Sequence, residues 1–271
     1  MKAPALQATS SGVRIAYDIL GSGDPVVLVH GLGYARWGWD PVVEPLAERF
    51  QLILFDNRGI GDSEVPAGPY TAAAMSEDVA AVLDTVGLER AHVVGTSLGG
   101  MVAQELAIRR PERVDRLVLV CTTPGGAKAF PLPERTVRLM AEAPALAPDV
   151  ALRRFVENAL APATVAERPD LVERVYERRL QHPPDPAGWQ AQAAAGATFD
   201  AFDRLGAIQA PTLVLHGTED GVVDPRNAPL LAERIPGARL ELFDGAGHLL
   251  FWEQRERFVR AVSEFLAEEA E

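Results

Sequence analysis

A serine hydroxyl is a poor nucleophile until it is exposed, held still and paired with a base. The pentapeptide Gly95-Thr96-Ser97-Leu98-Gly99 offers that setting. It follows the apolar run Ala91-His92-Val93-Val94 and opens a segment, Leu98 to Ala107, with helical apolar spacing. The pattern reads as strand, sharp turn, helix, with Ser97 at the apex. Small flanking residues suit such a turn, because its backbone is strained and the helix behind it packs close. Five residues alone also fit an ordinary turn with a capping serine. What singles out Ser97 is its company.

A nucleophilic serine needs a base, a group that orients the base, and donors for the developing oxyanion. His248 closes Asp244-Gly245-Ala246-Gly247-His248, whose glycines suit a turn that projects the imidazole. The orienting acid is open among Glu219, Asp220, Asp224 and Asp244. His30-Gly31-Leu32-Gly33 follows another apolar run, and its glycines let a backbone amide turn inward. The N–H groups of Leu32 and Leu98 are assigned as the oxyanion pair, and proline at either position would delete a donor.

Strands must hold these loops. Val13 to Ile19 alternates and reads as a strand, with an antiparallel edge as its natural place. Val26 to Val29, Gln51 to Phe55, His92 to Gly95, Arg116 to Cys121, Thr212 to His216 and Arg239 to Phe243 read as further strands. Helical patterns separate them at Pro41 to Phe50, Thr71 to Val86, Leu98 to Arg110, Arg226 to Ile235 and Glu253 to Glu268. Thr71 is the expected N-cap of its helix and Gly87 the C-cap. This alternation implies a mostly parallel sheet covered on both faces. Ligands bind such sheets at the carboxyl ends of the strands, where all the candidate residues lie.

The alternation breaks between Thr122 and Ala210. Helical patterns there run Pro133 to Ala143, Pro148 to Leu160, Thr164 to Gln181 and Pro186 to Phe202, without a strand. The segment reads as a helical insertion. The domain expectation is a core of 1–122 and 210–271 with a lid of 123–209.

The chain of 271 residues is 48% hydrophobic and carries a formal net charge of −12. It is long enough for one large domain, and its acidity leaves no electrostatic footprint for nucleic acid or anionic membrane. Its single cysteine, Cys121, ends an apolar run and excludes an internal disulfide. Met1 to Ser11 lacks the apolar core of a signal peptide and no stretch reaches membrane-spanning length, so a cytoplasmic location is expected. Glu268-Glu269-Ala270-Glu271 reads as a frayed helix end. The histidines lack close metal-ligand spacing, and Gly95, Gly99 and Gly100 form no dinucleotide fingerprint, so no metal and no cofactor are expected.

Taken in order, His30-Gly31-Leu32-Gly33, Asp56-Asn57-Arg58-Gly59-Ile60-Gly61-Asp62-Ser63, the serine turn and the Asp220 and His248 loops resemble an α/β-hydrolase of the esterase and enol-lactonase type. The resemblance spans nearly the whole chain. The Asp56 loop and Gly68-Pro69-Tyr70-Thr71 are similar to 3-oxoadipate enol-lactonases. It implies an eight-stranded sheet with a cap after the sixth strand. It places the acid at Asp220, with Asp224 next, in the chain order serine, acid, histidine. It gives His216 no catalytic duty, while by their own context His30 and His92 read as structural and Arg58 and Asp62 as holding their loop.

The reading is a serine hydrolase that cleaves a small-molecule carboxylic ester or lactone through an acyl-enzyme, with Ser97, Asp220 and His248 as triad. Gly31, Trp37, Trp189, Phe251 and Trp252 are the candidate substrate pocket, an apolar one. Rivals are a cofactor-free haloperoxidase or perhydrolase, a C–C bond hydrolase, and a non-catalytic ligand-binding protein on the same fold. The first usually has an aromatic residue and proline after the His-Gly pair, where this chain has Leu32-Gly33. Oligomeric state is not legible.

Overall fold

Val26, Leu28, Leu52, Leu54 and Val94 line one face of a sheet, and Val27, Val29, Ile53, Phe55 and Val93 line the other. Successive residues of a strand point to opposite faces, so a continuous apolar run needs an apolar layer on each side. The computed structural model describes residues 5–268. Residues 269–271, most of the expected frayed end, lie outside them.

In chain order the core begins β1 (Leu6–Ser10), β2 (Val13–Leu20), β3 (Asp24–Val29), α1 (Asp40–Ala47), β4 (Phe50–Phe55), α2 (Ala72–Val86), β5 (Ala91–Thr96), α3 (Leu98–Arg109) and β6 (Val114–Val120). The inserted helices are α4 (Glu134–Glu142), α5 (Pro148–Ala159), α6 (Pro162–Glu167), α7 (Pro169–Gln181) and α8 (Pro186–Ala197). The core resumes with β7 (Thr212–Gly217), α9 (Asn227–Arg234), β8 (Arg239–Phe243), α10 (Leu250–Glu253) and α11 (Arg255–Leu266).

The sheet has eight strands in the order β1-β2-β4-β3-β5-β6-β7-β8. β1 and β2 run antiparallel and the rest are parallel. α2, α3 and α9 supply Val79, Val102 and Leu231 to one apolar layer. α1, α10 and α11 supply Leu46, Phe251 and Phe258 to the other. Thr71 caps α2 by accepting the Ala74 N–H at 3.1 Å, and Gly87 ends it in the left-handed conformation, as expected.

Three expectations need correction. The edge strand is β1, not Val13 to Ile19. β1 escapes the apolar pattern because few of its side chains are buried, and Ser11-Gly12, both at positive φ, folds it back on β2 as a two-residue hairpin. The pattern at Thr164 to Gln181 is two helices, because Pro169 lacks an N–H and drives Arg168 to ψ 62°. The last helix, expected from Glu253, begins at Arg255, because Gln254, at φ −123° and ψ 55°, separates it from the short unread α10, and the Gln254 side chain donates to the Asp244 carbonyl at 2.7 Å.

Candidate active site

Ser97 sits directly after β5, at φ 55° and ψ −122°. That region costs a non-glycine residue on the order of 1–3 kcal/mol and persists only where the surroundings enforce it. Here the Ser97 N–H donates to the Val120 carbonyl at 2.9 Å, and Thr122 Oγ1 donates to the Ser97 carbonyl at 2.7 Å. Close approach of α3 to β3 requires Gly99, where a Cβ would lie 2.1 Å from the Val29 carbonyl oxygen. The serine is half-buried while its neighbours on both sides are buried. Gly31 faces it, and a Cβ there would lie 2.9 Å from Ser97 Cβ.

Asp220 and His248 lie in the loops after β7 and β8. His248 Nδ1 and Asp220 Oδ2 are 2.8 Å apart, and both residues are buried. Asp220 Oδ1 accepts the N–H groups of Val222 at 2.7 Å and Val223 at 2.9 Å. His216 Nε2 lies 3.1 Å from Oδ2. Burial opposes ionisation of Asp220. The charge of His248 and the hydrogen bonds from His216 and His248 outweigh it and hold the carboxyl below the usual range. The rival acids are engaged elsewhere: Asp224 with Arg226, and Asp244 with Thr218. Glu219 is exposed. A carboxylate on Nδ1 leaves Nε2 as the basic nitrogen of His248.

Of the two expected oxyanion donors, Leu32 lies in the loop after β3 and Leu98 at the start of α3. Among the described residues, neither the Leu32 nor the Leu98 N–H has a protein acceptor. Leu98 opens α3, where first-turn amides have no partner within the helix and attract negative charge. The His30 ring accepts the Gly31 N–H at Nδ1, 2.7 Å away, and stacks on Tyr34. Burial, reinforced by the charges of His248 and Arg179, lowers its pKa to about 3. The same loop is anchored by Asn57, which donates to the His30 carbonyl at 2.9 Å. Arg58 forms paired 2.6 Å bonds with Asp78, and Asp62 meets Arg36. Both residues therefore brace the loop after β4.

The aromatic candidates separate. Trp189 is 37% exposed and lies against Gly33. Trp37 is buried between Tyr34 and the exposed His182. Phe251 is fully buried on Trp39, Phe258 and His30. Trp252 donates from Nε1 to the Gly38 carbonyl at 2.9 Å. Phe251 and Trp252 thus form the layer behind the loop, not free surface beside Ser97.

Cys121, Asp220 and His248 place ligand-type atoms within 4.8 Å of one another. Burial pushes the Cys121 thiol up, which keeps it protonated, and the other two atoms are engaged with each other. The trio is therefore poorly suited to hold a metal.

Three further residues join the site, of which the sequence pointed to His216 alone. His216 reaches Asp220. Glu253 accepts from Gly247 N at 2.7 Å and from Thr164 Oγ1 at 2.6 Å, tying the His248 loop to α6. Gln192 on α8 reaches the Gly33 N–H at 3.2 Å. His216 had one signal, its place four residues before Asp220. Glu253 and Gln192 had none.

A family profile for the alpha/beta hydrolase fold matches residues 24–254. The chain is 36% identical over 236 residues to the RutD protein of Azorhizobium caulinodans, named for carbamate hydrolysis, covering 86% of this chain and 87% of that one. It is 30% identical over 264 residues to the 2-hydroxy-6-oxo-6-phenylhexa-2,4-dienoate hydrolase of Comamonas testosteroni, covering 94% and 92%. The enol-lactonase from Burkholderia xenovorans LB400 superposes with a TM-score of 0.85 at 27% identity, covering 97% of this chain and 100% of that one.

Proposed function

The chain belongs to the alpha/beta hydrolase fold family and is a hydrolase, and from that premise we propose that it cleaves a small-molecule carboxylic ester or lactone through an acyl-enzyme. The observation that carries the reading is the buried 2.8 Å bond between Asp220 and His248, in loops at the same sheet edge as the strained Ser97 turn. In this reading Ser97 Oγ attacks the carbonyl carbon while His248 Nε2 takes its proton. The carbonyl π pair moves to oxygen, and the N–H groups of Leu32 and Leu98 stabilise that oxyanion. Collapse re-forms the carbonyl and breaks the bond to the leaving oxygen, which receives the proton from His248. Water, deprotonated by His248, then attacks the acyl-enzyme and releases the acid and Ser97. Asp220 holds the imidazole tautomer and stabilises the imidazolium.

Residues 123–209 act in this reading as a lid over a core of 1–122 and 210–271. Gly31 and Trp189 border the reacting carbonyl, and Trp37, Phe251 and Trp252 pack behind them. The chemistry requires neither metal nor cofactor. Among the described residues no helix is long and apolar enough to cross a membrane. A cytoplasmic site of action remains part of the proposal.

The test is turnover of p-nitrophenyl acetate, p-nitrophenyl butyrate and a simple lactone by wild type beside Ser97→Ala. The expected result is multiple turnover in the wild type, lost by several hundredfold or more in the variant. Wild-type inactivity on all three, with turnover of a carbamate or a dienoic diketone acid instead, refutes the ester reading in favour of the chemistries named for the relatives.

A further inference from the structure

Leu32 lies between two anchored points. Upstream, Asn57 Nδ2 holds the His30 carbonyl at 2.9 Å, which fixes the loop to the core. Downstream, both sides of Gly33 are held by inserted helices. Its N–H donates to Gln192 Oε1 at 3.2 Å, and its carbonyl accepts Arg179 Nη1 at 2.7 Å. Gly33, at φ 70°, is the third residue of a turn that the Tyr34 N–H closes on the Gly31 carbonyl at 3.3 Å, and the bonds to Gln192 and Arg179 add a hold on the peptides on either side of it.

Gln192 is fully buried and uses both ends of its carboxamide. Nε2 donates to the Arg58 carbonyl at 2.8 Å, and the Arg58 guanidinium is in turn locked to Asp78 on α2. The orientation is unambiguous, since a flipped amide would face an N–H with an NH2 and a carbonyl with an oxygen. The rest of α8 is docked equally closely. A Cβ on Gly188 would lie 2.0 Å from the Gly59 carbonyl oxygen, and the Tyr70 N–H donates to the Ala191 carbonyl at 3.2 Å. α8 is therefore fixed against the loops that carry Gly33 and Gly59.

We propose that Gln192 is a positioning residue for the oxyanion donors: its carboxamide fixes the Gly33 amide and thereby the direction of the Leu32 N–H. The proposal rests on the serine-hydrolase reading. It makes the inserted helices part of the oxyanion apparatus, so any displacement of α8 withdraws transition-state stabilisation.

The experiment compares wild type with Gln192→Met, which keeps length without the polar atoms, and Gln192→Glu, which keeps an acceptor for Gly33. Folding is checked by thermal melting. The readouts are kcat and KM for p-nitrophenyl butyrate, the inhibition constant of phenylboronic acid, and the rate of fluorophosphonate labelling at Ser97. Boronic acid forms a tetrahedral adduct that depends on the oxyanion donors. In Gln192→Met, kcat falls about 10- to 100-fold, boronic acid affinity falls by a similar factor, and KM changes little. Gln192→Glu retains most of the wild-type kcat. A folded Gln192→Met with wild-type kcat and boronic acid affinity overturns the proposal, as does an equal loss in both variants. If Gln192→Met does not fold, Gln192→Asn decides, since its amide is one carbon too short for both partners and must show the same paired loss. Wild type that turns over no ester and takes no fluorophosphonate at Ser97 refutes the hydrolase reading and this proposal together. A labelled wild type with unaffected variants refutes this proposal alone.

Discussion

Mild acid should destabilise this protein through His30. The ring is 2% exposed, stacked on Tyr34 and in edge contact with Trp39 and Phe251, and it accepts the Gly31 N–H. Protonating it would bury a cation in an aromatic shell and destroy that acceptor. Burial and the neighbouring His248 and Arg179 lower its pKa from 6.5 to about 3. The sign follows from proton binding. Below pH 6.5 the unfolded chain takes up a proton that the folded chain refuses, so the unfolded state gains. The stability tied to neutral His30 is whole above about pH 6.5 and is lost as pH falls from there towards 3. The slope is about 1.4 kcal/mol per pH unit, so the loss at pH 5 is about 2 kcal/mol. That is a large part of a typical total of roughly 5–15 kcal/mol. His92 is also shifted down by burial and adds to the acid sensitivity, so a variant comparison is needed to isolate His30. Urea unfolding of wild type and His30→Gln at pH 8, 7, 6 and 5 provides it. The stability difference should be constant above pH 7 and then move in favour of the variant by about 1.4 kcal/mol per unit. Parallel curves down to pH 5 would refute the reasoning, whatever the absolute stabilities.

Two other perturbations address the site itself. Gly31→Ala would set a methyl group 2.9 Å from Ser97 Cβ and 3.3 Å from the Thr96 carbonyl oxygen. Ester kcat/KM should fall about 100-fold, while melting reports a stability loss on the order of 1–3 kcal/mol. A folded variant with wild-type turnover would show that Gly31 does not border the reacting centre. Asp220→Asn keeps an oxygen for Val222 and Val223 but offers an amide to His248. Its kcat should drop on the order of 10⁴-fold, and retention of more than a tenth of wild-type activity would remove Asp220 from the triad.

Much of the core was legible because its signals are local. The apolar runs at Val26 to Val29 and Gln51 to Phe55 became β3 and β4 within a residue or two, and the cap residues Thr71 and Gly87 bound α2 as read. β1 was invisible because an edge strand buries little, and its only signal was the Ser11-Gly12 turn. The helices on either side of Pro169 share one periodicity, which hides the break between them in the sequence pattern. Phe251 and Trp252 follow the histidine and looked like pocket residues, yet α10 turns both into the core.

The sequence by itself determined the kind of chemistry on offer. A serine at a strand-to-helix apex, glycines where backbones must approach, and acid and histidine loops after later strands are constraints written in neighbouring residues. The residues alone left four carboxylates open and the family resemblance pointed to Asp220; only the tertiary structure decided that His216 shares Asp220 with His248 and that Gln192 reaches Gly33 across 159 positions of chain. Periodicity states which side of an element is buried. It carries no information on which polar group a buried side chain will meet, because that partner is chosen when distant segments pack and most buried polar groups are paired.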